Sequence, residues 1–195
     1  MLTKLDGPSA ATSAHQQLYA YWASLRAGGH LPGRRRLNPA DMKLLLPTVS
    51  LIDVQQRPLR NGYRVRLAGT ELYPVYGGEI TGRSLDEVYA PPALDYWRRE
   101  LDQVVRERRP SVGCHSLDWR GLGAVNLLWI RLPLASDGEN VDMILGYDAI
   151  VGTSALRAHA ASGEPASTTS ARSASSSRSA SITSVACRSS CAMVL

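Results

Sequence analysis

Histidines and cysteines are the residue types that most often do chemistry, but their spacing here does not form a recognisable site. The four histidines, which are His15, His30, His115 and His159, include no pair with the H-x-x-x-H spacing of a metal site. The three cysteines are an odd number without tight metal spacing, which is typical of reduced thiols. Cys114 and His115 are neighbours on a predicted strand and therefore point to opposite faces, which argues against a nucleophile–base pair.

Motifs of the common enzyme classes are also missing from the sequence. It contains no G-x-S-x-G elbow, no P-loop and no G-x-G-x-x-G that follows a strand. The stretch "RGLGAV" at residues 120–125 precedes a predicted strand and is interpreted as a hairpin turn. We therefore expect a binding or regulatory protein and not an enzyme.

Arginine forms two basic clusters, Arg34–Arg36 and the group of Arg106, Arg108 and Arg109. The net charge of the chain is +5, but residues 153–195 hold four Arg and one Glu, so the remainder carries only about +2. This near balance favours solvated faces or contact with an acidic partner surface over nucleic-acid binding. No apolar run approaches the length of roughly 20 residues that spans a membrane.

Apolar residues at helical spacing predict three longer helices. The first covers "AHQQLYAYWASLRAGGHLP" and ends at Gly28–Gly29. The second begins at the N-cap Asn38, continues through "MKLLL" and stops before Pro47. The third is predicted from Pro92 to Arg108, with an apolar stripe formed by Leu94, Trp97, Leu101, Val104 and Val105.

Five segments have strand character: 48–56, 61–69, 110–119, 123–134 and 140–151. In the second, alternation predicts that Tyr63, Val65 and Leu67 share one face, opposite Arg64 and Arg66. Short helical pieces are predicted between this strand and the long helix. One is "ELYPVY", capped by Thr70 and ended by Gly77–Gly78, and the other is "LDEVY", with a Ser84–Glu87 capping box. Antiparallel strands from both ends of the chain can form one sheet under these helices, which is an α+β fold.

Three dispersed segments carry a resemblance to a known family: "LYAYWASLRAGGHLPGR", "NPADMKLLLPTVSLIDV" and "YRVRLAGTELYPVYGGEITGRSL". In order and spacing they resemble a bacterial stand-alone PAS domain family, over roughly residues 15–151. The resemblance implies a PAS-like five-stranded antiparallel sheet with short helices on one face and an N-terminal helical extension. It also implies a sensory module that forms a homodimer or binds a signalling partner. Because no kinase, cyclase or DNA-binding output domain is found, we expect the signal to leave through protein–protein contact.

PAS domains of this kind sometimes hold a small molecule, and the resemblance leaves the cofactor unknown. Flavin photoreceptor PAS domains have a reactive cysteine in a short helix, and the corresponding "RSLDEVY" has none. Haem-binding PAS domains usually have a histidine on or near the long helix, and the nearest one here is His115 on the following strand. We therefore expect no flavin photoadduct, and haem is open only through His115.

The short-helix region is expected to line a concavity that takes a small apolar ligand or is filled by its own side chains. The candidate ligand-binding residues are Tyr73, Tyr76, Trp97, Cys114 and Trp129. The candidate residues for a dimer or partner contact are Leu18, Trp22 and Leu25 on the N-terminal helix. The alternative for this helix is that the same residues cover the domain's own sheet.

The sequence divides into four parts: a flexible N-terminus (1–14), a helical extension (15–47), a PAS core (48–151) and a Ser/Arg-rich disordered tail (152–195). The tail has 13 Ser in residues 153–195, a composition that cannot bury enough apolar surface to fold. It is interpreted as a solvated tail, with a phosphorylation segment or an altered reading frame as alternatives. No secretory signal is visible at the start, which predicts a cytoplasmic protein.

Overall fold

Five strands pair into one antiparallel sheet, as the sequence predicts. The computed structural model describes residues 8–117 and 122–151, with side chains at 13–117 and 125–151. The strands are β1 (Val49–Gln55), β2 (Gly62–Ala68), β3 (Ser111–Leu117), β4 (Leu122–Leu134) and β5 (Met143–Val151). Their spatial order is β2-β1-β5-β4-β3, so pairing of β1 with β5 joins the two ends of the chain. The predicted disordered tail and Trp119 lie outside the described residues.

Four α-helices and four short 3-10 helices complete the described part of the chain. The α-helices are α1 (Pro8–Ser24), α2 (Tyr73–Tyr76), α3 (Leu85–Val88) and α4 (Ala93–Glu107). The 3-10 helices are Arg34–Arg36, Pro39–Met42, Leu46–Thr48 and Thr70–Leu72. The connection between β2 and α4 is therefore a series of short pieces, in agreement with the prediction.

The second predicted helix is wrong in type. Asn38 caps a helix as predicted, because its side chain accepts a hydrogen bond from the Ala40 amide at 3.2 Å, but this helix is a 3-10 helix that ends at Met42. A second 3-10 helix then begins at Leu46. Pro47 has no amide hydrogen and disfavours helical geometry at the residue before it, so an α-helix cannot be completed between the two prolines.

The limits of α1 and the cap of the first short helical piece also differ from the prediction. Helix α1 begins at Pro8, inside the segment predicted to be flexible, and it ends at Ser24, ahead of Gly28–Gly29. The 3-10 helix before α2 has Gly69 as its N-cap, so Thr70 is its first residue and not its cap. The Ser84–Glu87 capping box is present as predicted.

Alternation along β2 breaks at its end. Tyr63 and Val65 are buried and Arg64 and Arg66 exposed, as predicted, but Leu67 is 42% exposed. The pairing with β1 shifts at this point, since Leu51 is opposite Leu67 whereas Ile52 is opposite Val65. A β-bulge at Arg66 therefore inserts one residue and turns Leu67 to the other face.

The helices lie on both faces of the sheet. On one face, α4 packs against β4 through Trp97 and Trp129, whose rings are 5.3 Å apart. We call this the inner face. On the other face, α1 packs through His15, whose ring lies edge-on to that of Tyr147 at 5.4 Å. The short helices between β2 and α4 lie on the inner face, where Tyr76 and Tyr89 meet Trp97 of α4. The N-terminal extension covers the opposite face.

Candidate functional site

Six aromatic rings meet on the inner face of the sheet, where the sequence predicts a concavity. We call them the inner cluster: Tyr76, Tyr89, Tyr96, Trp97, His115 and Trp129. Neighbouring rings are in contact, with centroids 5.7 Å apart for Tyr76 and Tyr89, 5.8 Å for Tyr89 and Trp97, and 4.6 Å for Tyr96 and His115. The hydroxyls of Tyr76 and Tyr89 are hydrogen-bonded at 2.9 Å. The interior between the short helices and the sheet is therefore occupied by the protein's own side chains.

Local backbone features place these rings. Tyr76 is the last residue of α2, which ends because Gly77 adopts a left-handed conformation with φ of 73°. Tyr89 directly follows α3, and Trp97 is on the buried stripe of α4. The indole ring of Trp129 on β4 lies against Gly113 on β3, and a Cβ atom added to Gly113 would overlap that ring. Glycine at this strand position is thus required by the close approach of Trp129.

A buried ion pair lies beside the inner cluster. Nη2 of Arg131 on β4 donates to Oδ1 of Asp148 on β5 at 2.8 Å, and the two side chains are only 3% and 2% exposed. The guanidinium also lies 4.6 Å from the ring centroid of Trp97 and 5.5 Å from that of Trp129. The ion pair, its hydrogen bond and the stacking on two aromatic rings together offset the free-energy cost of burying the charge of Arg131.

Burial and the neighbouring negative charge shift the pKa of Arg131 in opposite directions. Burial alone would lower the pKa of Arg131, but the adjacent carboxylate of Asp148 raises it above its usual value. Burial, together with the hydroxyl of Tyr76, raises the pKa of Tyr89 well above its ordinary range. Both groups therefore keep their usual protonation states at neutral pH: Arg131 stays charged and the Tyr89 phenol stays neutral.

Three buried N–H groups of Trp and Arg side chains have no acceptor among the described residues: Nε of Arg98, Nε1 of Trp97 and Nε of Arg131. The last two lie at the inner cluster, where the guanidinium of Arg131 is 4.6 Å from the ring centroid of Trp97. A buried donor without an acceptor costs free energy comparable to a lost hydrogen bond, so such groups need a physical explanation. Stacking of the guanidinium on the indole explains part of this arrangement but supplies no lone pair to either N–H group.

The structure brings three of the five candidate ligand-binding residues together: Tyr76, Trp97 and Trp129. Tyr73 is half-buried at the start of α2, and its hydroxyl donates to the exposed Glu79. Cys114 is opposite Leu128 in the sheet, whereas its neighbour Gly113 is opposite Trp129, so Cys114 faces away from the inner cluster. Its sulfur is also disulfide-bonded, which corrects the expectation of a reduced thiol.

Sequence reasoning missed the polar members of the site. Arg131 is in the apolar run "LLWIRLPL" and Asp148 in "MILGYDAIV", and each is the one charged residue of its strand segment. Opposite charges that interrupt two apolar strands are a signal that could have identified the pair, because lone charges are rarely fully buried.

The role of Gly146 beside this pair could not be recognised from the sequence. An added Cβ there would overlap Oγ of Ser50 and lie 3.1 Å from Nη1 of Arg131, so glycine makes room for the guanidinium.

Two kinds of prosthetic-group attachment do not fit the side chains at this site: an iron–histidine bond and a cysteine–flavin adduct. The ring of His115 is stacked on Tyr96 and lies 5.7 Å from the ring of Trp97, so an iron–histidine bond would require both contacts to be broken. Residues 83–89, at α3, contain no cysteine for a flavin adduct. Within the described part of the chain, no three His, Cys, Asp or Glu side chains are grouped as metal ligands.

The N-terminal helix covers the sheet of its own domain. Leu18 and Trp22, two of the three candidate dimer residues, are 0% and 1% exposed, and Leu25 is half-buried. Nε1 of Trp22 donates to the Pro133 carbonyl oxygen at 2.9 Å. These residues therefore cover the sheet of their own domain, which was the alternative to a dimer contact. A partner contact through them stays a prediction.

The arginine clusters lie in exposed segments. Arg35 and Arg36 are exposed in a 3-10 helix, and Arg106, Arg108 and Arg109 are exposed at the end of α4 and just after it. Arg106 is 3.6 Å from the carboxylate of Glu107. These positions are compatible with the solvated faces predicted for them.

Taken together, the strand order, the short helices on the inner face and the aromatic core define a PAS-type domain. The chain belongs to the PAS_5 family of PAS domains, whose model matches residues 10–148. Among solved structures it is similar to the Rhodobacter sphaeroides LOV protein, with 16% identity over 75% of this chain and 73% of that chain and a TM-score of 0.39. No curated protein matches the sequence. In the described residues, no helix is long and apolar enough to cross a membrane.

Proposed function

We propose that this PAS domain is a regulatory module that transmits a signal through protein–protein contact, as a homodimer or with a signalling partner. The observation that carries the proposal is the inner cluster. Aromatic side chains and the Arg131–Asp148 pair occupy the region in which a sensor would hold a ligand. A domain filled in this way is a rigid body, and its surface is what remains for recognition. We further infer that it is not a catalyst.

Native mass spectrometry of the purified full chain, followed by a denaturing spectrum, tests this proposal. We expect a protein mass with no additional component, and a dimer or a complex with a second protein. An additional mass that is released on denaturation would overturn the proposal in favour of a ligand-binding sensor. An absorbance scan above 300 nm of the same sample reports any chromophore independently.

The unpaired donors favour a second candidate function, a small-molecule sensor. Nε1 of Trp97 and Nε of Arg131 are both buried and would be satisfied by acceptor atoms of a ligand. Because Asp148 already neutralises Arg131, an anion would leave an excess buried negative charge. The ligand would therefore be largely apolar and neutral, with an acceptor such as a carbonyl oxygen.

Trp97→Phe separates the two functions. The substitution removes one donor and keeps an aromatic ring in the inner cluster. If an additional mass is present in the wild type, its occupancy should fall in this variant. If wild type and variant both show the bare protein mass, no ligand occupies the site and the sensor candidate is excluded.

A further inference from the structure

A small surface beside α1 has both a protruding apolar side chain and a cleft. The segment of residues 40–45 runs alongside α1, and together they border an open cleft of about 150 Å³. Its apolar lining comes from Leu18, Tyr21, Met42 and Leu45. At its rim, Leu44 is 78% exposed. We call this surface, with Asp41 and Lys43, the Leu44 face.

The Leu44 face is held in place by hydrogen bonds. The hydroxyl of Tyr21 accepts from the Asn38 amide at 2.7 Å and donates to the Asn38 carbonyl oxygen at 3.3 Å, which ties the segment to α1. The Leu45 amide donates to the Met42 carbonyl oxygen at 2.8 Å, and Met42 is buried. Leu44 is therefore presented on a short, fixed turn, and little conformational freedom is lost when it is bound.

The cleft has the right size for a leucine side chain. An apolar cavity of about 150 Å³ can hold benzene, which is larger than the isobutyl group of leucine. Leu44 is 78% exposed and therefore does not fill the cleft of its own chain. The Leu44 of a second copy can fill it, and a two-fold axis would make the exchange reciprocal, as an isologous interface requires.

Charges on the Leu44 face are complementary in the same two-fold arrangement. Asp41 and Lys43 flank the cleft, and both are exposed. Neither makes an ion pair within the described part of the chain. Across a two-fold axis, Asp41 of each copy would be placed to meet Lys43 of the other, so the surface attracts its own copy and not a uniformly charged partner.

We propose that a second copy of this chain docks on the Leu44 face, with Leu44 of each copy in the cleft of the other and Asp41 paired with Lys43. The proposal rests on the function proposed above and names the surface through which the module forms a homodimer. It differs from the contact predicted from the sequence, because Leu18 and Trp22 are already buried within one chain.

Sedimentation velocity of the full chain, from about 1 to about 100 μM, tests this interface. We expect a reversible dimer, and we expect Leu44→Asp to raise its dissociation constant at least tenfold. The matched control is Leu59→Asp, because Leu59 is 100% exposed but lies between β1 and β2, away from the cleft. That variant should change the constant less than twofold, and circular dichroism checks that both variants are folded.

Charge reversal gives a second readout that does not depend on the leucine. Asp41→Lys and Lys43→Asp should each weaken the dimer several-fold, and the double variant should restore it to within about twofold of wild type. A dimer unaffected by Leu44→Asp would overturn the proposed surface and leave the protein-contact function standing. A wild-type chain that stays monomeric over the whole concentration range would overturn this proposal and leave a signalling partner as the remaining form of that function.

Discussion

At the residue scale, the buried Arg131–Asp148 pair is the feature on which the inner face depends most. The pair is held between Trp97 and Trp129 and is almost fully buried. Taking two charges out of water is costly, and a well-packed apolar pair of similar volume is often as stable. The value of the pair to the fold is therefore best measured by removing one charge and then both.

Asp148→Ala should lower the free energy of unfolding by about 3–5 kcal/mol, because it leaves the Arg131 guanidinium buried without its counter-ion. The double variant Arg131→Met with Asp148→Leu should recover most of that loss. Urea denaturation at pH 7 measures both. The control is Asp53→Ala at the Asp53–Arg66 pair, whose side chains are 28% and 60% exposed and 3.5 Å apart, and it should cost less than about 1 kcal/mol. Equal losses at the two sites would show that Asp148 has no special structural role.

Gly113 is a second residue-scale test, since it lies directly under the indole of Trp129. Gly113→Ala should cost about 1–3 kcal/mol, because the new methyl group forces Trp129 and the rings around it to move. Near-ultraviolet circular dichroism should change with the repacking of the inner cluster. Ser111→Ala on the same strand is the control and should stay within about 0.5 kcal/mol of wild type. A silent Gly113→Ala would mean that the cluster is loosely packed.

At the scale of elements, the position of α1 is set by its buried face. Trp22→Ala removes a fully buried indole and its hydrogen bond to the Pro133 carbonyl oxygen, and it should cost about 3–5 kcal/mol of unfolding free energy. Trp22→Phe keeps most of the apolar contact and should cost roughly 1 kcal/mol for the lost hydrogen bond. Thermal and urea unfolding provide the comparison. A loss below about 1 kcal/mol for Trp22→Ala would contradict the docking of α1 on the sheet.

The attachment of α1 is also expected to depend on pH through His15. Its Nε2 donates to the Leu128 carbonyl oxygen at 3.0 Å, and its ring faces Tyr147. Burial lowers the pKa of His15, opposed in part by the hydrogen bond to Leu128 and by Asp148. The folded protein therefore binds this proton less readily than the unfolded chain, in which His has a pKa of about 6.5. The contribution of His15 to the free energy of unfolding is therefore fully present above about pH 6.5 and is lost as the pH falls below that value.

Unfolding free energies at pH 7.5 and 5.5 measure this dependence. From this residue the wild type should lose stability with a slope of at most about 1.4 kcal/mol per pH unit. His15→Gln keeps an N–H donor but cannot take up a proton, so it should lose less over the same interval. If the two proteins respond identically, His15 does not contribute to the pH dependence.

At the scale of the whole molecule, charge decides among possible partners. The basic clusters are exposed, but the chain apart from residues 153–195 has a net charge of only about +2. We expect binding to a duplex DNA probe to be independent of sequence and to be lost between about 50 and 200 mM salt. Fluorescence anisotropy of a labelled duplex measures this. Affinity that persists at the higher salt would indicate a nucleic-acid-binding protein and contradict the proposed function.

Local sequence patterns predicted much of this molecule because their causes are local. The Ser84–Glu87 capping box, the stop of α2 at Gly77 and the stripe on α4 depend on residues within a few positions of each other. The strands and their antiparallel pairing followed from alternation and turn residues in the same way. The bulge at Arg66 could not be predicted, since it depends on the register between two strands.

The sequence by itself determined the α+β class, the PAS-like order of elements and three members of the inner cluster. Only the tertiary structure decided that Cys114 faces away from this cluster, that Arg131 and Asp148 meet beside it, and that α1 lies on the opposite face. The first two depend on which residues of distant strands are opposite one another, and the third depends on which face of the sheet the helix packs against. Because neighbouring side chains on a strand point to opposite faces, pairing in three dimensions fixes the members of a site, whereas composition and spacing along the chain do not.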